Sequence, residues 1–201
     1  MVCPWCFIGQ ARFEKALATY DGAVTVRLHP FRLDPDAPVP GEPAPARYRR
    51  RFGADADEML ARVTATGAEE GLQFRFDRAV TPNTFDAHRA IGYAARNGHD
   101  RALERALFAA YFSDGLDVSD RSVLADAAAS VGEHRAAMLA YLESDAGVAE
   151  LTREFEEANA LGITSVPTFV FNRQFAVPGA VGVEAFATIF EQMRHMPEEP
   201  A

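Results

Sequence analysis

Apolar residues recur at helical spacing near the start of the chain, at Phe13, Ala16, Leu17 and Tyr20, and Gly22 suits a stop. Pro4 fits the first helical position, where a missing N–H is harmless, so the helix is expected to begin there with Cys3 as its N-cap. Val24, Val26 and Leu28 then alternate with Thr25 and Arg27, which predicts a strand with one buried face. Between Asp34 and Pro45 stand five prolines and one glycine, the composition of a loop or linker. From about Tyr48 to Leu142 the pattern is helical. Met59, Leu60 and Val63 mark one helix closed by Gly71; Asn83 or Thr84 caps the next, through His88 and Tyr93 to Gly98. Leu103, Ala106, Leu107, Ala110 and Tyr111 mark a third, Ser119 or Asp120 opens a short one ending near Gly132, and another runs from about Arg135 to Leu142. A helix over about 146–161 ends at Gly162. Thr168–Phe171, a two-residue Asn172-Arg173 turn and Gln174–Val177 then predict a hairpin. Gly179 leads to a final amphipathic helix carrying Phe186, Ile189, Phe190 and Met193, and the residues from Pro197 to Ala201 are expected to fray.

The order is therefore helix, strand, long helical block, helix, hairpin, helix, with no internal repeat. It describes an α/β fold: a thioredoxin-like core over 1–40 and 145–195, split by an all-helical insertion over 46–144, with a tail over 196–201.

Composition narrows the function classes. With 201 residues, 48% apolar and 24% charged, the chain can bury a core without staples. A net charge of −9 repels phosphate backbones, and Arg49-Arg50-Arg51 is the only basic cluster, so no nucleic-acid partner is expected. No apolar run approaches bilayer length, and no secretory signal is expected ahead of Met1-Val2-Cys3, which makes the cytoplasm the expected compartment. Fifteen phenylalanines are mostly core, with a few near Trp5 as candidates for lining a peptide groove.

The chemistry concentrates in Cys3-Pro4-Trp5-Cys6. The chain has two cysteines, and two placed at random fall at this spacing on the order of 1% of the time. In a reducing compartment such a pair is more often catalytic or metal-binding than structural, and the loop between them is too small to staple the fold. Disulfide exchange needs a thiolate to attack and a second thiol to resolve the mixed disulfide. At a helix N-terminus, unpaired N–H groups and the macrodipole favour a thiolate. Cys3 is thus assigned as the attacking sulfur and Cys6 as the resolving one, with Pro4 stiffening the turn and Trp5 offering an aromatic face to substrate. Because no histidine stands between the cysteines, a less oxidising pair is expected than in periplasmic enzymes of this kind. Two duller readings stay open. Half a zinc site would need ligands from His29, His88, His99, His134 and His195, none closely spaced, and an accidental surface pair is the other.

The segment Cys3-Pro4-Trp5-Cys6-Phe7-Ile8-Gly9 resembles the active-site segment of cytoplasmic DsbA-like proteins of the FrnE type. His29-Pro30-Phe31-Arg32-Leu33-Asp34-Pro35 is similar to that family's strand exit, and Asn83-Thr84-Phe85-Asp86-Ala87-His88-Arg89 to its insertion signature. Gly162-Ile163-Thr164-Ser165-Val166-Pro167-Thr168-Phe169 resembles its cis-proline loop, and Pro178-Gly179-Ala180 the start of its last helix. The resemblance implies a cis Val166–Pro167 bond packed against the cysteines, with Val166 and Pro167 positioning an extended substrate by strand addition. His88 is either a hydrogen-bonded core residue or a substrate-facing one in the groove between the two parts. One departure stands out. Relatives carry a strand before the cysteine motif, in mid-sheet and with a carboxylate used for proton transfer, whereas only Met1 and Val2 precede Cys3 here. The expectation is a chain starting late, whose second strand and hairpin lack their common partner.

The resemblance implies a thiol–disulfide oxidoreductase acting on thiol- or disulfide-containing proteins or small molecules, without cofactor beyond its cysteine pair, with glutathione a candidate reductant and no metal. Two alternatives are a glutathione-dependent isomerase or transferase of the same fold, in which serine typically stands where Cys3 does, and a peptide-binding holdase without turnover.

Overall fold

The structure, a computed structural model, describes residues 1–194; His195 and the expected tail over 196–201 lie outside the described residues. The chain opens on α1 (Pro4–Leu17), with Cys3 as N-cap in extended conformation and Pro4 in the first turn. Two residues each of β1 (Glu42–Pro43) and β2 (Val80–Thr81) pair antiparallel, and between them lie α2 (Ala44–Phe52) and α3 (Ala56–Glu69). Four helices follow: α4 (Phe85–Ala95), α5 (Asp100–Phe112), α6 (Arg121–Ser130) and α7 (Arg135–Glu143). The chain then returns through α8 (Val148–Ala160), the hairpin β3 (Thr168–Phe171) and β4 (Phe175–Pro178), and α9 (Val183–Arg194). This is the α/β thioredoxin-like arrangement with a helical insertion.

Local chemistry explains most boundaries. Asn83 Oδ1 accepts from the Phe85 N–H at 3.0 Å and opens α4, while Asp120 accepts from the Ser122 N–H at 2.7 Å and opens α6. At the far end of α7, Arg89 reaches across from α4 and donates to the carbonyls of Tyr141, Leu142, Ser144 and Ala146, so one buried guanidinium replaces the missing helical donors.

The core forms two clusters that meet on α1. Phe7 and Ile8 belong to the helical block, where Phe7 stacks on Phe108 with ring centres 5.0 Å apart. One and two turns on, Phe13 and Ala16 face the other way, into Phe186 and Phe190 of α9, with Phe169 of β3 beside them. A single helix therefore carries residues of both cores.

Four expectations need correction. Residues 24–28 are extended but form no strand. Burial alternates only from Thr25 on, Val26 packing into the Phe13 cluster while Thr25 and Arg27 stay exposed; Val24, expected on the buried face, is exposed, and no described segment lies beside them as a ladder partner. The hairpin register pairs Phe171 with Phe175, so Gln174 belongs to the turn. Its N–H closes on the Phe171 carbonyl at 2.9 Å, and Asn172 and Arg173 take φ of 48° and 58°. The first helix stops at Leu17 rather than running to Tyr20, with Thr19 Oγ1 bonded back to the Ala16 carbonyl at 2.9 Å. Finally, the end of the proline-rich stretch is structured, β1 pairing at Glu42–Pro43 and α2 beginning at Ala44.

Candidate active site around Cys3 and Cys6

Both cysteines are free thiols, Cys3 buried and Cys6 half-buried. The Cys3 carbonyl accepts from the N–H groups of Cys6 at 3.1 Å and Phe7 at 3.4 Å, which closes the first turn and leaves the Cys3 side chain over the helix start. The Cys6 thiol donates to Cys3, and this bond does most to favour the anion. The N–H groups of Cys6 and Trp5 add to it and burial opposes it, bringing Cys3 down to about 7. The same bond pushes Cys6 well above the ordinary thiol range, since losing its proton would break it; burial and the neighbouring Cys3 charge act in the same direction.

On the other side of Cys3 lies the loop ahead of β3. The Val166–Pro167 peptide is cis, and the Val166 carbonyl oxygen lies 3.6 Å from Cys3 Sγ. Pro167 is buried, and its carbonyl accepts from the Gly179 N–H at 2.7 Å, which ties the loop to the hairpin's return. Close approach of α1 to this loop needs Gly9: a Cβ there would stand 3.1 Å from Pro167 Cγ and 3.4 Å from Ala180 Cβ. Arg12 fastens the same face, donating to the Ala180 carbonyl at 2.8 Å and to Glu70 at 2.6 Å.

Of the residues singled out in the sequence, Cys3, Pro4, Cys6, Val166 and Pro167 converge here. Trp5 lies at the surface beside them, 39% exposed. His88 is engaged elsewhere: its Nε2 is 3.1 Å from the Phe31 carbonyl oxygen and its ring meets the edge of Phe155. Burial pushes it down to about 3, so the ring is neutral at physiological pH. Among the described residues, no cluster of three or more His, Cys, Asp or Glu side chains has metal-binding geometry, and no helix is long and apolar enough to cross a membrane.

Sequence reasoning missed two residues near the sulfurs. Tyr48 of α2 packs against the core that holds Cys6, and burial raises its phenol while the Cys3 charge works in the same direction. Glu104 of α5 is also close enough for its charge to oppose ionisation of Cys6. Glu104 could have been flagged, because a carboxylate between Leu103 and Leu107 borders the apolar stripe of its helix.

Comparison with known proteins gives a consistent result. The model of the DSBA-like thioredoxin domain family matches residues 1–191. The uncharacterized protein YwbO of Bacillus subtilis is 27% identical over 191 residues, covering 92% of this chain and 89% of YwbO. The crystal structure of the probable DsbA oxidoreductase SCO1869 from Streptomyces coelicolor superposes with a TM-score of 0.89 at 32% identity, over 99% of this chain and 89% of that one. A 2-hydroxychromene-2-carboxylate isomerase superposes at 0.68 with 16% identity, over 96% and 90% of the two chains, a likeness of fold.

Proposed function

Because the chain belongs to the DSBA-like thioredoxin domain family, we propose that it is a thiol–disulfide oxidoreductase in which Cys3 attacks and Cys6 resolves. One observation carries this reading: a single hydrogen bond between the two thiols splits their acidities, lowering Cys3 to about 7 and raising Cys6. Near neutral pH one sulfur is a competent nucleophile and its neighbour keeps its proton until needed.

The Cys3 thiolate attacks a substrate disulfide, one substrate thiolate departs, and a Cys3–substrate mixed disulfide forms. Cys6 then loses its proton and attacks Cys3 Sγ; the second substrate thiolate leaves with the bonding electron pair. The substrate is reduced and the protein dithiol becomes the Cys3–Cys6 disulfide. Every step reverses for substrate oxidation. Pro4 sets the turn, Trp5 presents an aromatic surface beside the sulfur, and the Val166 carbonyl next to Cys3 is placed to pair with the backbone of an extended substrate, with Pro167 holding that edge. His88 has a structural role in this reading, because its ring nitrogen is committed to Phe31.

The reading extends to the cytoplasmic FrnE type, with protein or small-molecule thiols as partners, glutathione as a candidate reductant and no bound cofactor. It takes 1–40 with 145–195 as the exchange core and 46–144 as the helical insertion. The test is direct. Cys3→Ser should abolish turnover of a dithiol-coupled disulfide substrate such as insulin, while Cys6→Ser should accumulate a covalent Cys3 adduct visible by mass spectrometry. Full turnover in Cys3→Ser would refute the assignment.

A further inference from the structure

A cavity of about 280 Å³ lies where the segment 30–35 meets the start of α4 and one face of α8, and neither cysteine lines it. Most of its wall is apolar: Pro30, Phe31 and Pro35 come from the segment, Phe85 from α4 and Phe155 from α8. The exception that matters is Arg32. Its guanidinium carbon stands 5.5 Å from the centre of the Phe85 ring and 5.7 Å from that of Phe155. Ring faces attract a cation but carry no net charge, so the positive charge stays on the cavity wall. Asp34, two residues on, pairs with Arg47, and Glu156, exposed on the α8 side, forms no ion pair with Arg32. One terminal nitrogen of Arg32 donates to the Pro35 carbonyl, while Nε is buried with no hydrogen-bond partner among the described residues. A buried donor on a charged group is costly to leave unpaired. His88, whose ring meets the edge of Phe155, registers the same charge: Arg32 adds to what keeps that imidazole neutral.

We propose that this cavity binds a small aromatic carboxylate, its ring packed against the phenylalanines and its carboxylate on Arg32. The inference goes beyond the exchange reading and does not depend on it. A guanidinium presents Nε and a terminal nitrogen side by side, at the spacing of two carboxylate oxygens. One bidentate contact therefore supplies both the missing acceptor and the missing counter-charge. The apolar walls favour a single negative charge on a flat apolar body over a phosphate, whose second charge would be costlier to strip of water. Size points the same way. Small-molecule sites usually run to about 300–1,000 Å³, so a cavity at the lower edge suits one or two fused rings and is too small for a nucleotide. The net charge of −9 repels an anion at a distance, so binding depends on this one contact.

The test is calorimetric titration of the full-length protein with 2-naphthoate, and with 2-naphthamide, which keeps the rings and lacks the charge. Naphthoate should saturate a single site per chain, and the amide should bind at least about tenfold more weakly. Arg32→Gln should weaken naphthoate to the level of the amide and leave the amide unchanged. Arg32→Lys, which keeps the charge but loses the side-by-side donors, should fall between. Thr152→Phe narrows the cavity from the exposed side of α8 and should weaken both ligands alike; it serves as the second variant if Arg32→Gln fails to fold. Alkylating both cysteines beforehand should change neither affinity. Equal affinity for acid and amide, naphthoate binding that survives Arg32→Gln or Thr152→Phe, or no saturation by about 10 mM would overturn the proposal. Loss of binding on alkylation would overturn it too, by placing the ligand at the cysteines.

Discussion

Cys3, His88 and Glu104 show how burial and hydrogen bonding move ionisation in opposite directions. Desolvation disfavours whichever form is charged, so it lowers His88 and raises Glu104, while at Cys3 a hydrogen bond to the anion outweighs it. For stability the consequences differ in sign. The folded protein excludes a proton that the unfolded chain binds at His88, so this contribution is complete above the ordinary histidine value of 6.5 and is lost as pH falls from there toward about 3. Glu104 acts the other way: its contribution is present below 4.5 and is lost as pH rises through about 7. Replacing His88 with Gln keeps a donor for the Phe31 carbonyl and removes the titration. Urea midpoints measured from pH 7 to pH 4 should fall less steeply in His88→Gln than in the unaltered protein; equal slopes would mean the imidazole is protonated in the folded state.

At the scale of elements, what was legible in the sequence follows how local the cause is. Pro4 after Cys3 and Asp120 before α6 act within a few residues, and those helix starts are where the pattern predicts them. The strand over 24–28 was misread because alternation marks a buried face and says nothing about a ladder partner, which must come from elsewhere in the chain. At the site, the Cys3–Cys6 spacing is local and was readable. The Gln10–Glu104 bond spans 94 residues and has no short-range signature. Arg89 is of the same kind: it sits 2% exposed on α4, yet it serves the end of α7 more than fifty residues on. Removing it would strand buried carbonyls that each need a donor, so Arg89→Ala should destabilise by about 3 kcal/mol or more. Arg89→Lys should recover little of that, since one ammonium cannot reproduce a planar fork reaching four carbonyls and Asp86. Chemical denaturation of both variants decides the point, and a Lys variant as stable as the original would show that only charge matters.

For the molecule as a whole, α1 has a place that no other element among the described residues shares. It carries Cys3 and Cys6 at its start, gives Phe7 to the helical cluster and Phe13 to the hairpin cluster, and is fastened by Arg12 to Glu70, just past α3, and to the segment before α9. Neither cluster can lose this helix and remain packed, so the two should unfold together although separate parts of the chain build them. The cysteine pair is then only as firmly held as the junction of both. Phe7→Ala removes a ring stacked on Phe108 and Phe112, and Phe13→Ala removes one set against Phe169, Phe186 and Phe190. Each should destabilise by roughly 3–5 kcal/mol, the range for truncating a buried phenylalanine. Trp5, the single tryptophan of the chain, reports on the active-site turn, while far-UV circular dichroism is dominated by the helical block. In the unaltered protein and in both variants the two signals should change at one denaturant concentration, shifted equally by either substitution. If Phe13→Ala moved the tryptophan transition and left the dichroism transition in place, the clusters would be independent, and α1 would be a linker between them instead of their common part.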